Sequence, residues 1–396
     1  MLSKKIKAAL EGSSAIRAMF VEGKELAAKV GEENVFDFSL GNPATPAPAM
    51  VNQAIKDLLD EMDPLVLHGY MSNSGYEDVR QAVADNLNRR FETDFTWKNI
   101  VMTVGAAGGI NIVFKAILDP GDEVIVFAPF FGEYRSYAAN FDASVVAVKP
   151  DYETFQPDLA AFREAFTEKT KAVLINTPNN PTGVIYSDDT MKEIARIMED
   201  KEKEYQKEIY LISDEPYREL VYDGAKENFL TKYYRNTIVG YSFSKSLSLP
   251  GERIGYIAVS DAVSDSEELL AGIEVANRTL GFVNAPSLMQ KAVSRCIDEQ
   301  TNLKFYDKNR RALYEGLTKL GFTCIKPQGA FYLWVKSPVE DEAEFVAAAK
   351  KYNLILVKGS AFGCGGYVRI AYCIPNEKII RSLDAFAKLA EEYHLA

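Results

Sequence analysis

Residues 172–183 read AVLINTPNNPTG and join a continuous apolar run to a polar loop. The run from Ala172 to Asn176 is hydrophobic at consecutive positions, which is typical of a strand buried on both faces of a sheet. Two prolines and a glycine make the following loop rigid. This segment predicts an α/β fold in which the loop presents its asparagines at the end of a buried strand.

Four further apolar runs of the same kind lie outward from this segment, at residues 100–104, 123–127, 209–213 and 237–241. Other segments repeat apolar residues at helical spacing, for example around Ile112 and around Leu58. The alternation of strand and helix patterns predicts a mostly parallel sheet flanked by helices. Ligand-binding groups are expected at the ends of its strands.

The last hundred or so residues follow a different pattern. Long helical patterns over residues 288–320 precede two short strand patterns, at residues 331–335 and 367–371. A smaller α+β domain fits this part of the chain. We therefore predict a large domain over residues 46–285 and a small domain formed by residues 1–45 and 286–396.

Composition excludes several classes of function. The 396 residues are 47% hydrophobic, enough to bury one large core or two moderate ones. A net charge of −11 disfavours nucleic acid or an anionic membrane as the main partner. The charged run at residues 199–204 is expected to form a solvated helix face.

The chain has no apolar run of about 18 residues and no leader-like N-terminus, so we expect a cytoplasmic protein. Its four cysteines lack metal-site spacing and it has only two histidines, which predicts reduced thiols and no structural metal.

Lys245 lies in the segment SFSKSLSLPGER, residues 242–253. A primary amine can form a Schiff base with an aldehyde, and the Ser242 hydroxyl and Arg253 guanidinium can neutralise a phosphate. These groups together suit pyridoxal 5′-phosphate (PLP), a phosphorylated aldehyde. A lone lysine among serines is more often a solvated loop residue, so this interpretation depends on the other segments.

Polar groups follow two of the predicted strands. Asp214 comes directly after residues 209–213 and could keep a pyridine nitrogen protonated. At about 4 Å and an effective dielectric of about 20, this pair is worth about 4 kcal/mol, or roughly three pKa units. A helix N-cap is the alternative role for Asp214. Asn180, with Tyr217 as a second donor, could hydrogen-bond a phenolate oxygen.

Two further segments fit the same cofactor. Residues 105–109 read GAAGG and lie between a predicted strand and a predicted helix, where free backbone N–H groups and the helix dipole favour a phosphate. An ordinary strand-to-helix turn is the alternative. Phe131 follows the strand at residues 123–127 and could stack on a flat heteroaromatic ring or pack in the core instead.

These segments, in this order and over nearly the whole chain, resemble the class I and II aminotransferases of PLP fold type I. The resemblance implies a large domain with a mostly parallel seven-stranded sheet, a smaller α+β domain, and a homodimer with shared active sites. By position it implies three catalytic residues: Lys245 as the Schiff-base lysine, Asp214 as the pyridinium partner and Tyr217 as a ring-oxygen donor. The other implied cofactor contacts are Gly105, Ala106, Ala107, Ser242 and Arg253 at the phosphate, Asn180 at the ring oxygen, Phe131 stacked on the ring, and Tyr70 reaching the phosphate of the neighbouring subunit.

Two positions resemble the site that holds the substrate's α-carboxylate. Arg369, in the strand pattern at residues 367–371, is similar to the family arginine that clamps this group, and Gly41 to the backbone contact beside it. A guanidinium suits bidentate binding of a carboxylate. Without the resemblance, Arg369 would be interpreted as a surface strand residue.

Recognition of a distal carboxylate is the open question for the substrate. Arg278 lies close to the position of a partner-subunit arginine in aspartate-specific members, but one residue too far from residues 284–286. Ala107 stands where some aspartate-using relatives carry a lysine. Arg135 is a second candidate, although a plain surface arginine is the commoner role.

The predicted reaction is a ping-pong amino transfer from an L-amino acid, with aspartate or another dicarboxylic amino acid favoured, to a 2-oxo acid such as 2-oxoglutarate. Aromatic amino acids or alanine are alternative substrates. A PLP-dependent cysteine-S-conjugate β-lyase would use the same lysine. An effector-binding module of a transcription regulator is disfavoured, because no basic helix-turn-helix segment precedes the enzyme-like region.

Overall fold

The computed structural model describes residues 2–11, 15–226 and 228–395. Its strands form three sheets, of seven, four and two strands. The strands are β1 (Phe36–Asp37), β2 (Ile100–Thr103), β3 (Glu123–Phe127), β4 (Ser144–Val148), β5 (Thr170–Asn176), β6 (Tyr210–Asp214), β7 (Thr237–Ser242), β8 (Gly255–Val259), β9 (Cys324–Ile325), β10 (Tyr332–Lys336), β11 (Leu354–Ile355), β12 (Val357–Lys358) and β13 (Tyr367–Ala371).

Helices connect and cover these strands. They are α1 (Lys4–Glu11), α2 (Ala15–Val30), α3 (Ala49–Glu61), α4 (Pro64–Leu67), α5 (Glu77–Phe91), α6 (Gly105–Ile117), α7 (Glu133–Ala139), α8 (Leu159–Glu164), α9 (Asp188–Tyr205), α10 (Phe243–Ser246), α11 (Ser266–Thr279), α12 (Ser287–Arg295), α13 (Leu303–Lys319), α14 (Glu342–Lys351) and α15 (Asn376–Glu392).

The seven-stranded sheet has the order β2-β8-β7-β6-β5-β3-β4, and only β8 runs antiparallel to its neighbours. The predicted fold is therefore confirmed, and each of the five apolar runs overlaps a strand of this sheet. The sequence pattern did not reveal β4 and β8. β4 lies at the sheet edge and is only half-buried, so it lacks a continuous apolar run. β8 begins with Gly255, a weak strand signal.

Burial on both faces explains the continuous hydrophobicity of the central strands. In β5, Ala172 and Leu174 pack into a cluster with the buried faces of α6 and α11, whereas Val173 and Ile175 pack against α9 on the other face. Successive side chains of a strand point to opposite faces, so both sets must be apolar. Each fully buried aliphatic side chain contributes about 1.5–3 kcal/mol.

The two smaller sheets lie in a separate apolar cluster. The order of the four-stranded antiparallel sheet is β12-β13-β10-β9, and β1 pairs with β11 in parallel. Helices α13, α14 and α15 cover them through side chains such as Leu313, Phe345 and Phe386. The smaller α+β unit was predicted, including a strand at residues 367–371. The domain boundaries at residues 45 and 285 stay a prediction.

The structure differs from two local expectations. Residues 105–109 were placed between a strand and a helix, but α6 begins at Gly105 itself and they make up its first turns. The charged run at residues 199–204 is not uniformly solvated, since Glu202 is buried. Its carboxylate accepts hydrogen bonds from the Ile209 backbone N–H at 3.0 Å and the Asn236 amide at 2.9 Å, and it pairs with Arg235. These partners compensate the cost of burying the charge.

None of the described helices is long and apolar enough to cross a membrane. All four cysteines are free thiols. Within the residues that the structure describes, no group of three or more His, Cys, Asp or Glu side chains is placed to hold a metal ion.

Candidate active site

A cleft of about 260 Å³ opens at the carboxyl ends of the parallel strands. Asn180 follows β5, Asp214 ends β6 and Lys245 lies just after β7. These three strands are neighbours and parallel, so their carboxyl ends meet at one edge of the sheet. The order of the strands therefore brings together residues that are far apart in the sequence.

Most of the predicted site residues line this cleft. They are Gly41, Ala106, Ala107, Phe131, Asn180, Asp214, Tyr217, Ser242, Lys245, Arg253 and Arg369. Gly105 lies at its border, where a Cβ would come within 2.8 Å of Arg253 Nη2. Gly105 also has φ +77°, which favours glycine. The backbone at the N-terminus of α6 can therefore approach a ligand beside the Arg253 guanidinium.

The Lys245 amine faces this cleft rather than bulk solvent. Ser242 caps the short helix α10 and so fixes the turn that carries Lys245. The amine donates a hydrogen bond to the Gly41 carbonyl at 2.6 Å. Burial is the main cause that lowers the pKa of Lys245 to about 8, and the charges of Arg253 and Arg369 act in the same direction. A substantial fraction of this amine is therefore neutral near physiological pH.

Asp214 is buried and has one carboxylate oxygen without a partner. The Tyr134 hydroxyl donates to Oδ2 at 2.5 Å, whereas Oδ1 has no hydrogen-bond partner in the described part of the chain. Burial raises the pKa of Asp214 to about 7, against the effect of the Tyr134 hydrogen bond. No backbone N–H of the described residues donates to this side chain, so it is not a helix N-cap. The free acceptor suits the N–H of a pyridinium ring.

Arg369 is not a surface residue, because only 1% of it is exposed. Its Nη1 donates to Asn180 Oδ1 at 3.0 Å and its Nη2 donates to the Ser39 carbonyl. Nε is buried and has no partner among the described residues. Because Asn180 uses its amide oxygen for Arg369, its NH₂ group remains as a donor.

Hydroxyl groups complete two parts of the cleft. The Tyr217 and Tyr332 hydroxyls share a hydrogen bond of 2.8 Å. The Ser242 and Ser244 hydroxyls share one of 2.7 Å, close to Arg253 in the lining. Serine hydroxyls, a guanidinium and a helix N-terminus together form a donor set that fits a phosphate. The residues present therefore fit PLP at the ring nitrogen and at the phosphate.

Two residues that hold the site, Tyr134 and Tyr332, are not identified by any sequence pattern. Tyr134 lies three positions after Phe131, a spacing that places the two side chains on one side of a helical turn. Tyr332 belongs to the predicted strand at residues 331–335, and the Arg369 guanidinium lies 4.5 Å from the centre of its ring. Neither position carries a signal for its partner, because both partners are distant in sequence.

Three predicted residues lie outside the cleft. Tyr70 is 94% exposed. Arg278 is exposed at the end of α11, and Arg135 is exposed with its guanidinium 4.9 Å from the centre of the Phe130 ring. A single chain therefore does not bring these side chains to the cofactor pocket.

Comparisons with known proteins agree with this geometry. The family model for aminotransferase class I and II matches residues 33–386. An aspartate aminotransferase of Pyrococcus horikoshii is 30% identical, over 96% of this chain and 95% of its own. The crystal structure of an amino transferase from Eubacterium rectale has a TM-score of 0.96 at 46% identity and covers 99% of both chains. An aspartate aminotransferase of Thermus thermophilus, solved with maleate, has a TM-score of 0.86 at 27% identity, covering 98% of this chain and 99% of its own.

The chain therefore belongs to the class I and II aminotransferase family. It is a PLP-dependent aminotransferase of fold type I, and its substrates are an amino acid and a 2-oxo acid.

Proposed function

We propose that this enzyme moves the amino group of aspartate, or of another dicarboxylic amino acid, to a 2-oxo acid such as 2-oxoglutarate. The observation that carries the proposal is one cleft that holds the Lys245 amine, the Arg369 guanidinium and the unpartnered oxygen of Asp214. Relatives named as aspartate aminotransferases, one of them solved with the dicarboxylate maleate, support the substrate class.

The cofactor contacts follow from the donors and acceptors in the cleft. When bound, PLP supplies an aldehyde that condenses with amines and a protonated ring that accepts electron density from the substrate Cα. Asp214 Oδ1 would accept the ring N–H, while Asn180 and Tyr217 would donate to the ring oxygen. The phosphate would lie between the Ser242 hydroxyl, Arg253 and the backbone of residues 105–107, with Phe131 stacked on the ring.

Lys245 has two roles in this proposal. Its amine would hold the PLP aldehyde carbon in the resting enzyme, and it would move the proton at the substrate Cα during turnover. With a pKa of about 8, roughly a quarter of this amine is neutral at about pH 7.5. Arg369, with the Gly41 backbone beside it, fixes the α-carboxylate so that the Cα–H bond points toward the amine.

We propose a homodimer in which Tyr70 reaches the phosphate of the neighbouring subunit. Tyr70 lies beside an exposed apolar surface, since Leu65 is 86% and Val66 is 56% exposed. Exposed apolar clusters mark interaction surfaces. Mixing Tyr70→Ala with Lys245→Ala subunits tests this arrangement, because a hybrid dimer contains one intact site. Activity should return on mixing, and its failure to return would contradict shared sites.

The distal carboxylate of the substrate needs a cation beyond those that the described residues of one chain place in the cleft. In the part of the chain described, the cleft is lined by three basic side chains, and each already has a role: Lys245, Arg253 and Arg369. We therefore propose that Arg278 of a second copy recognises the distal carboxylate. Arg135 is less suited, because its guanidinium lies over the Phe130 ring.

A half-reaction screen tests the substrate class. The holoenzyme is offered each amino acid while the absorbance of the bound cofactor is followed, and aspartate should react fastest. Arg278→Ala should lower kcat/KM for aspartate about 10- to 100-fold, the loss of one charge-assisted hydrogen bond of about 1.5–3 kcal/mol, and leave phenylalanine unchanged. Arg135→Ala is the matched control. Pyruvate release from cysteine conjugates without a 2-oxo acid would indicate a β-lyase instead.

We also propose a cytoplasmic location. The four cysteines are free in the structure, as expected for a protein in a reducing compartment. Cell fractionation would test the location, and recovery of the enzyme outside the cytosolic fraction would contradict it.

A further inference from the structure

Tyr134 is a buried tyrosine in the lining of the cleft, and its hydroxyl makes one hydrogen bond to a side chain of the described residues. It lies in the first turn of α7, only 1% exposed. Its hydroxyl donates to Asp214 Oδ2 at 2.5 Å, across 80 positions of sequence. Burial and the neighbouring Asp214 charge keep the pKa of Tyr134 well above its usual value, so this hydroxyl stays protonated as a donor.

Tyr134 is also tied to the side chain that faces the cofactor ring. Its backbone N–H donates to the Phe131 carbonyl at 3.1 Å, and the two rings meet edge-to-face with centres 5.6 Å apart. The same short segment thus sets the stacking surface and the carboxylate at the ring nitrogen. A displacement of the Tyr134 side chain would therefore also displace the Phe131 ring.

Apart from the Tyr134 hydroxyl, the described residues make no hydrogen bond to the Asp214 carboxylate that would fix its orientation. The Asn176 amide donates to the Asp214 backbone carbonyl at 2.9 Å, which fixes the main chain but not the side chain. Oδ2 is held by Tyr134, and Oδ1 has no partner among the described residues. An ionised carboxylate buried with neither oxygen satisfied would be costly. The Tyr134 hydroxyl therefore stabilises the charge through Oδ2 and leaves Oδ1 as the acceptor without a partner among the described residues.

We propose that Tyr134 is a positioning residue for the cofactor: by holding Asp214 Oδ2, it orients Oδ1 toward the ring nitrogen. This inference rests on the proposed role of Asp214. Tyr134 acts in this proposal through the Asp214 carboxylate, to which its hydroxyl donates.

A double-mutant cycle on cofactor affinity tests this role. The dissociation constant of PLP is measured by equilibrium dialysis for the native protein, Tyr134→Phe, Asp214→Asn and the double variant. Tyr134→Phe should weaken PLP binding about 10- to 100-fold, the range expected for a hydrogen bond to a charged group. In the Asp214→Asn background the same change should cost less than about threefold, because the charge it stabilises is absent.

The outcomes distinguish the proposed role of Tyr134 from a packing role and from a failure of the role proposed for Asp214. Equal losses in both backgrounds would show that Tyr134 acts by packing alone and would overturn the proposal. Unweakened binding in Tyr134→Phe would overturn it as well, while unweakened binding in Asp214→Asn would instead refute the role of Asp214 on which it rests.

Two further variants guard against a folding artefact. Tyr234→Phe removes a buried hydroxyl hydrogen bond of 2.8 Å to the Ile209 carbonyl in the same domain, away from the cleft, and should leave PLP affinity unchanged. Tyr134→His keeps a ring N–H donor and should bind PLP more tightly than Tyr134→Phe. Equal affinities of these two Tyr134 variants would contradict a role for the donor.

Discussion

Replacing Arg369 with lysine should slow turnover with aspartate. Lysine keeps the positive charge but offers a point charge in place of the planar fork that binds a carboxylate through two hydrogen bonds. The substitution therefore removes one charge-assisted hydrogen bond, worth about 1.5–3 kcal/mol. That free energy corresponds to a fall of about 10- to 100-fold in kcat/KM for aspartate.

The structure predicts a second effect of the same substitution. Arg369 is buried and donates to both Asn180 Oδ1 and the Ser39 carbonyl. A single ammonium group cannot occupy both donor positions of the fork, and an unsatisfied buried acceptor costs about 1–3 kcal/mol. The variant should therefore unfold at a lower temperature than the native enzyme.

Steady-state kinetics with aspartate and 2-oxoglutarate measure the first effect, and thermal unfolding measures the second. Arg310→Lys is the matched control, because Arg310 is also buried but pairs with Asp307 and donates to the Pro327 carbonyl outside the cleft. It should lower stability and leave kcat/KM within about twofold. If Arg369→Lys kept kcat/KM within threefold of the native value, Arg369 would not be the clamp for the α-carboxylate.

Two further predictions concern the cleft. The rate at which cofactor-free protein captures PLP should rise with pH and reach half its plateau near pH 8. Only the neutral Lys245 amine attacks an aldehyde, and burial lowers the pKa of this amine to about 8. Stopped-flow absorbance measures the rate, and a midpoint near pH 10.5 would contradict the lowered pKa. Gly41→Ala should lower kcat/KM at least about tenfold, because a Cβ there would overlap the Tyr332 hydroxyl. Gly272→Ala is the control, because a Cβ at this position on α11 meets open space. This variant should keep full activity and gain about 0.5–1 kcal/mol of stability. Equal activities of the two variants would argue against close packing at Gly41.

The sequence predicted the structure best where burial or strand order produces a pattern in consecutive residues. Strands such as β5 could be predicted because both of their faces are buried, so that every position is apolar. Residues at the ends of parallel strands, such as Asp214 and Lys245, could be grouped because those ends meet at one edge of the sheet.

Side-chain partners that are distant in sequence could not be predicted in this way. The hydrogen bond between Tyr134 and Asp214, and the contact of Arg369 with Tyr332, depend on how α7 and β13 pack in three dimensions. Without the family resemblance, Arg369 would have been interpreted as a surface residue, because its strand pattern does not reveal what covers it. Glu202 was likewise interpreted as solvated, since its partner Arg235 lies in another part of the chain.

The central claim is that the Lys245 amine is the group joined to the cofactor. Borohydride reduction of the holoenzyme, followed by proteolysis and mass spectrometry, identifies the side chain to which PLP is attached. We expect one phosphopyridoxyl group per chain, on the peptide that contains Lys245, and none in Lys245→Ala. A label on another lysine, or no label at all, would contradict the account.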